Sequence, residues 1–125
     1  MPNRVLIVDD ALIIRMKIRN VATSAGWEVV GEAANGEDAV ALYREISPDL
    51  VTMDMIMPKM DGLAALRAIR SVNSDARVVM VSAVDQKEKL RECIESGATD
   101  FIVKPFDESR LKSFFERQRQ SDESE

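Results

Sequence analysis

Three aspartates, a serine and a lysine each stand at the end of an apolar segment of this sequence. The aspartates are Asp9, Asp10 and Asp54, and the other two residues are Ser82 and Lys104. Clustered carboxylates repel one another and are costly to desolvate, so a group of three needs a cation to stay ionised. Oxygen ligands favour a hard ion, and an open site that keeps water molecules favours Mg²⁺, with Mn²⁺ as a substitute.

A bound Mg²⁺ would make phosphoryl chemistry possible at these side chains. The ion takes about six ligands, so two or three acids leave positions for water and a phosphoryl oxygen. Ser82 could donate a hydrogen bond to that phosphoryl group, and Lys104 could neutralise its charge. One carboxylate would then be the nucleophile and would form an aspartyl phosphate.

The composition removes several other kinds of chemistry. The 125 residues include no histidine, which excludes Ser-His and Cys-His nucleophile pairs and histidine-ligated metals. Net charge is −5, which argues against nucleic-acid binding, because a nucleic-acid interface needs a basic stripe. A single cysteine, Cys93, cannot form an internal disulfide, so we expect a reducing, cytoplasmic location. No signal peptide is recognisable, and no apolar run approaches the roughly 20 residues of a membrane span.

Strand-like and helix-like segments alternate along the chain. The predicted strands are mostly apolar and β-branched: RVLIV (4–8), EVVGEA (28–33), DLVTMD (49–54), RVVMVS (77–82) and DFIV (100–103). Apolar residues at helical spacing predict a helix after each of them. This alternation predicts βα units around a parallel sheet in one doubly wound domain. Ligand sites in such sheets lie outside the carboxyl ends of the strands, where the five polar side chains are expected to meet.

Four motifs resemble those of the receiver domain of two-component response regulators, in particular the single-domain, CheY-like chemotaxis regulators. They are LIVDD (6–10), MDMIMPKMDG (53–62), VSA (81–83) and DFIVKPF (100–106). The resemblance implies a flavodoxin-like α/β fold, with five parallel strands in the order 2-1-3-4-5 and five helices. We expect residues 1–119 to form the receiver domain and residues 120–125 to be a flexible acidic tail.

The resemblance implies a role for each acid. Asp54 matches the phosphoacceptor, Asp10 the direct metal ligand, and Asp9 the acid that usually acts through water. Ile56 stands two residues after the acceptor, where the family supplies a backbone carbonyl to the metal. Pure helix capping by Asp9 is the weaker interpretation, since a cap does not explain two adjacent acids.

The resemblance also identifies a switch. Ser82 matches the switch hydroxyl, Phe101 the switch aromatic, and Lys104 the lysine that faces the phosphate. The Lys104–Pro105 bond is similar to the family's cis peptide. On phosphorylation, the hydroxyl would move toward the phosphoryl oxygens and the aromatic ring would turn inward.

Several further residues have simpler expectations. Ile56 and Val84, both apolar, stand at positions that vary in the family and that the resemblance links to phosphate lifetime. We expect them to limit attacking water and slow dephosphorylation. Asp61 is interpreted as a helix N-cap and Cys93 as inert. Three basic residues are expected on a solvated helix face: Arg15, Lys17 and Arg19.

The function implied by the resemblance is a phospho-switch that catalyses only its own phosphorylation and dephosphorylation. A sensor histidine kinase would phosphorylate Asp54, and the output surface would be helix four, strand five and helix five. The first choice of target is the flagellar motor switch protein, in chemotaxis. The alternative is a phosphorelay intermediate that passes its phosphoryl group to a histidine phosphotransfer protein.

Two other protein classes with related features fit less well. A haloacid-dehalogenase-type phosphatase would need a second aspartate where Ile56 stands. A flavodoxin would need a Ser/Thr-rich loop after the first strand, where this chain has Asp-Asp-Ala-Leu.

Overall fold

Five strands and five helices alternate in the computed structural model, which describes residues 3–83 and 85–119. Val84 and the segment 120–125, both subjects of expectations above, lie outside the described residues. The strands are β1 (Asn3–Val8), β2 (Trp27–Ala33), β3 (Leu50–Asp54), β4 (Val78–Ala83) and β5 (Asp100–Lys104). The helices are α1 (Leu12–Ser24), α2 (Gly36–Ile46), α3 (Gly62–Val72), α4 (Lys87–Glu95) and α5 (Glu108–Gln118).

The strands form one parallel sheet in the order β2-β1-β3-β4-β5. This is the predicted flavodoxin-like, doubly wound arrangement, and the fold prediction is therefore confirmed. The central strand is β3, which pairs with β1 on one side and β4 on the other. A parallel sheet of this kind has helices on both faces, which explains why its inner strands consist mostly of buried apolar residues.

Two apolar cores flank the sheet, because alternate side chains of each strand point to opposite faces. In β1, Leu6 and Val8 belong to one core and Val5 and Ile7 to the other. The first core includes buried side chains of α2, α3 and α4, and the second includes those of α1 and α5. The helices are consequently fixed against the sheet on both sides of the strand ends.

Side-chain caps define the start of three helices. Asn35, Asp61 and Asp107 accept hydrogen bonds from the backbone N–H three residues on, at 2.8, 2.9 and 2.8 Å. Asp61 is therefore an N-cap, as predicted. Helix α1 differs: its N-cap is Ala11, with no side-chain cap among the described residues. Asp9 is not the cap of α1, and pure capping does not explain this acid.

Strand register brings the polar strand ends to one edge of the sheet. Asp54, the last residue of β3, is level with Val81 of β4, and Ala83 is level with Lys104 at the end of β5. In the part of the chain that the structure describes, no helix is long and apolar enough to cross a membrane.

Candidate functional site

The three predicted acids converge at the carboxyl edge of the sheet. Asp9, Asp10 and Asp54 each offer a carboxylate oxygen, and these oxygens lie within 4.8 Å of one another. Asp9 and Asp54 are buried, whereas Asp10 is exposed to solvent. Two buried acids and one exposed acid form an open, oxygen-lined group, which is the donor set that suits a hydrated Mg²⁺.

Lys104 connects two of these acids. Its Nζ lies 3.1 Å from Oδ1 of Asp54 and 3.3 Å from Oδ2 of Asp9. Burial alone would lower the pKa of Lys104, but the charges and hydrogen bonds of Asp54 and Asp9 raise it above its usual value. The ammonium group therefore stays protonated and supplies a fixed positive charge beside Asp54.

Asp54 remains an unfavourable place for negative charge despite this lysine. Burial and the charge of Asp9 raise its pKa to about 6, with a smaller contribution from Asp10, while Lys104 acts in the opposite direction. A carboxyl group with so raised a pKa is one whose ionised form would gain from a further cation. The electrostatics of the site thus fit a divalent metal.

Asp9 and Asp10 differ in how far the protein already engages them. Oδ1 of Asp9 accepts a hydrogen bond from the N–H of Ala11 at 2.9 Å, and Oδ2 accepts one from Lys104. Asp10 points to solvent at the mouth of the site. Direct ligation by Asp10 and ligation through water by Asp9, the roles that the resemblance implies, stay predictions.

Ser82 supplies a hydroxyl that the described residues leave unused. Its side chain is buried, and its Oγ has no hydrogen-bond partner there. A buried hydroxyl without a partner is costly, so the Ser82 Oγ is free to bond to a ligand bound at this edge of the sheet. A phosphoryl oxygen on Asp54 would be such a partner.

A cavity lies beside Ser82 on the side of α4 and β5. Its volume is about 260 Å³ and its lining residues are Ser82, Ala83, Lys87, Leu90, Phe101 and Val103. The Phe101 side chain is 43% exposed, so it is not a core residue in this state. The aromatic ring therefore lies at the rim of an apolar space next to the hydroxyl.

The loop after β3 has a tightly restricted path past Asp54. The N–H of Met55 bonds to the carbonyl of Val81 at 3.2 Å, and that of Gly62 bonds to the carbonyl of Met55 at 2.9 Å. A Cβ at Gly62 would collide with the carbonyl oxygen of Asp54, so only glycine fits. Ile56 lies within this loop with its side chain 59% exposed.

Two predictions about single residues of the sequence are settled here. The Lys104–Pro105 peptide bond is cis, as the resemblance implied. The assignment of Arg15 to a solvated helix face is wrong, because its side chain is only 16% exposed. It bonds to Glu32 and to the carbonyl of Asp9, since α1 lies across the end of β2.

Glu32 is the residue of this neighbourhood that the sequence motifs missed. It accepts from Nε of Arg15 at 3.1 Å and from Nε of Arg19 at 2.6 Å. Two arginines four residues apart on one helix face, with an acid just before the end of the neighbouring strand, were the available signal.

Comparison with known proteins identifies close relatives. The family model described as the response regulator receiver domain matches residues 5–116. The chemotaxis protein CheY of Bacillus subtilis is 50% identical over 111 residues, which cover 89% of this chain and 92% of that protein. The chemotaxis protein CheY of Thermotoga maritima is 49% identical over 111 residues, with the same shares of the two chains covered.

A solved structure agrees in fold as well. A chain of the CheX–CheY–BeF3–Mg²⁺ complex from Borrelia burgdorferi superposes with a TM-score of 0.86 at 38% identity. The match covers 90% of the present chain and 86% of that chain.

Proposed function

The chain belongs to the response regulator receiver domain family, and we propose that it is a phospho-switch whose phosphoacceptor is Asp54. A single observation carries the proposal: the Lys104 ammonium joins Asp54 to Asp9 at 3.1 and 3.3 Å, with Asp10 beside them. This arrangement supports a nucleophilic role for Asp54, because an ammonium group and two further acids lie beside its carboxylate.

Asp10 and Asp54 would hold Mg²⁺ through carboxylate oxygens, with the backbone carbonyl of Ile56 as a third protein ligand and Asp9 acting through water. When bound, the ion supplies positive charge to the oxygens of the entering phosphoryl group. The raised pKa of Asp54 and the three-acid donor set support this assignment.

Phosphoryl transfer would come from a phosphohistidine of a sensor kinase. A carboxylate oxygen of Asp54 forms the new P–O bond, the P–N bond to the histidine breaks, and the imidazole nitrogen keeps the electron pair. Lys104 neutralises the charge on the phosphoryl oxygens, and the Ser82 hydroxyl donates a hydrogen bond to one of them. The chain would catalyse these steps, and the later hydrolysis, only on itself.

The orphaned hydroxyl of Ser82 supports a route from the site to the surface. When Ser82 moves toward the phosphoryl group, it leaves space on the side of the cavity that Phe101 lines. The ring of Phe101 would turn into that space and change the face formed by α4, β5 and α5. Phosphorylation would thus be converted into altered binding to an output protein.

Chemotaxis is the proposed pathway, because the relatives at about 50% identity are chemotaxis proteins. The proposed output partner is the flagellar motor switch protein, reached in the cytoplasm by the phosphorylated form. The alternative partner is a histidine phosphotransfer protein in a phosphorelay.

The test is transfer of labelled phosphate from a phosphorylated sensor kinase. We expect label on the wild type with Mg²⁺, and none on Asp54→Asn or after chelation of the metal. Asp61→Asn, which keeps a helix cap beside the site, is the matched control and should be labelled normally. Label on Asp54→Asn would overturn the proposal.

Affinity capture with the phosphorylated form then separates the two pathways. Retention of the motor switch protein, lost on Asp54→Asn, is the expected result. Retention of a histidine phosphotransfer protein instead, with label passing to it, would favour the phosphorelay.

A further inference from the structure

A largely buried arginine of α1 holds the turn that carries the two acids after β1. Arg15 donates from Nη1 to the carbonyl oxygen of Asp9 at 2.7 Å. It also donates from Nε to Oε1 of Glu32 in β2 at 3.1 Å. One guanidinium group therefore connects the turn to the neighbouring strand.

The position of this bond determines what it controls. The carbonyl of Asp9 belongs to the planar peptide unit that joins Asp9 to Asp10. Because the unit is rigid, fixing its carbonyl oxygen also fixes the amide nitrogen from which Asp10 continues. Arg15 thus restrains the direction of the exposed acid without touching its carboxylate.

Two other hydrogen bonds restrain this turn. Oδ1 of Asp9 accepts from the N–H of Ala11 at 2.9 Å, a bond that spans Asp10. The N–H of Asp9 bonds to the carbonyl of Ala33 at 3.0 Å, which fixes the peptide before Asp9. The helix that follows begins at Leu12, and its N-cap Ala11 provides no side-chain cap among the described residues. Of the interactions described for the turn, the bond from Arg15 is the one that holds the Asp9–Asp10 peptide from its carbonyl side.

The negative charge of Glu32 stabilises the Arg15 guanidinium in its largely buried position. Burial alone would raise the pKa of Glu32, but its hydrogen bonds and ion pairs with Arg19 and Arg15 lower it, so it is ionised at neutral pH. The carboxylate aims the guanidinium of Arg15 and offsets its charge beside a site for a second cation.

We propose that Arg15 is a positioning residue for the divalent cation, orienting Asp10 through the carbonyl of Asp9, with Glu32 as its anchor. The inference rests on the proposed function, since it concerns the metal site of the switch. Residues that orient metal ligands in this indirect way commonly change metal affinity by roughly 10- to 100-fold.

A purely electrostatic role and a positioning role for Arg15 predict opposite changes in Mg²⁺ affinity when Arg15 is replaced. Removing a positive charge near a cation site should tighten Mg²⁺ binding if charge alone matters. Removing the restraint on Asp10 should weaken it. Arg19 offers the matched control, because it carries the same charge on the same helix and pairs with the same Glu32. Unlike Arg15, its described bonds do not reach the turn.

The experiment is calorimetric titration of the full chain with MgCl₂ at fixed ionic strength. Arg15→Gln should bind Mg²⁺ about tenfold more weakly than the wild type, and Arg19→Gln should bind it equally or slightly more tightly. Arg15→Lys conserves charge but replaces the planar fork, so it should also bind more weakly. Thermal unfolding of each metal-free variant shows whether the protein is folded before titration.

The outcomes separate this inference from the proposed function. A wild type that binds no Mg²⁺ overturns both. A wild type that binds Mg²⁺, with Arg15→Gln as tight as Arg19→Gln or tighter, overturns the positioning role alone. If Arg15→Gln does not fold, Arg15→Lys decides, and an unchanged Mg²⁺ affinity in that variant overturns the role.

Discussion

At the scale of single residues, Asp54 shows how the fold prepares a carboxylate for reaction. Burial and Asp9 work against its ionised form and Lys104 works for it, with a net pKa of about 6. The ionised nucleophile therefore exists at neutral pH, but at a cost in stability. A divalent cation bound at this group of acids would reduce that cost, because it would offset the negative charge of Asp54.

This cost predicts an effect of Asp54→Asn on the metal-free protein. Because the folded pKa is raised from 3.8 to about 6, the stability due to Asp54 is fully present below about pH 4 and is lost as the pH rises through about 6. The loss amounts to about 3 kcal/mol. The free energy of unfolding of Asp54→Asn should therefore increase relative to the wild type between pH 4 and 8.

Urea unfolding in the presence of a chelator, repeated across this pH range, measures the difference. Asp75→Asn is the control, because Asp75 is exposed near the amino end of β4, away from the site. A difference between Asp54→Asn and the wild type that does not change with pH would show that Asp54 titrates normally.

Ser82 allows stability and chemistry to be separated at one atom. Since its Oγ has no partner among the described residues, Ser82→Ala should change the free energy of unfolding by less than about 1 kcal/mol. The rate of phosphorylation by acetyl phosphate, followed by intact mass, should fall roughly tenfold, because a hydrogen bond to a charged oxygen is lost.

Ser82→Thr keeps the hydroxyl and should retain most of that rate. Equal rates for the alanine and threonine variants would mean that the hydroxyl does not contact the phosphoryl group.

At the scale of secondary structure, loops and helix starts decide which acids join the three-acid group. Asp61 lies in the loop after β3, but its Oδ1 accepts from the N–H of Ala64 and caps α3. Its carboxylate also pairs with Lys89 at 3.7 Å. This acid is thereby directed toward the helix and away from the three-acid group.

Replacing Asp61 should accordingly affect the helix and spare the metal site. Asp61→Ala should lower the free energy of unfolding by about 1 kcal/mol, whereas Asp61→Asn keeps a capping side chain and should lower it less. The Mg²⁺ affinity of both variants should match the wild type within about twofold. A tenfold loss in Asp61→Asn would make Asp61 a metal ligand.

The sequence predicts those elements and site residues that lie at the end of a strand or the start of a helix. Asp54 and Lys104 are the last residues of their strands. Because parallel strands end at the same edge of a sheet, the sequence predicts that the two side chains lie close together, as they do in the structure. The sequence predicts a solvated helix face for Arg15, because helical spacing shows which face a residue lies on. It does not show which element packs against that face. Only the packing of α1 across β2 reveals that Glu32 and the Asp9 carbonyl lie within its reach.

At the scale of the whole molecule, two cores hold the sheet so that its carboxyl edge stays accessible. Cys93 of α4 belongs to one of these cores, with its Sγ 3.6 Å from Sδ of Met55. Burial raises the pKa of its thiol to about 11, with smaller contributions from Asp61 and Glu92. Because the thiol is protonated and buried, the rate of its modification measures how often the core opens and is independent of the candidate site.

Thiol modification should therefore follow unfolding. Ellman's reagent at pH 8 should modify Cys93 in denaturant at once, and in the native protein only at the slow rate of core opening. Asp61→Ala should speed the native reaction roughly fivefold if it lowers the free energy of unfolding by about 1 kcal/mol. Rapid modification of the native wild type would contradict the packing of α4 described above.

The central claim, Mg²⁺-dependent phosphorylation of Asp54, is tested most directly by intact mass after incubation with acetyl phosphate. The wild type and Asp54→Asn are compared with and without Mg²⁺. We expect a gain of one phosphoryl group in the wild type with Mg²⁺ and in no other sample. An adduct on Asp54→Asn, an adduct formed without metal, or no adduct on the wild type even with a cognate kinase would contradict the account.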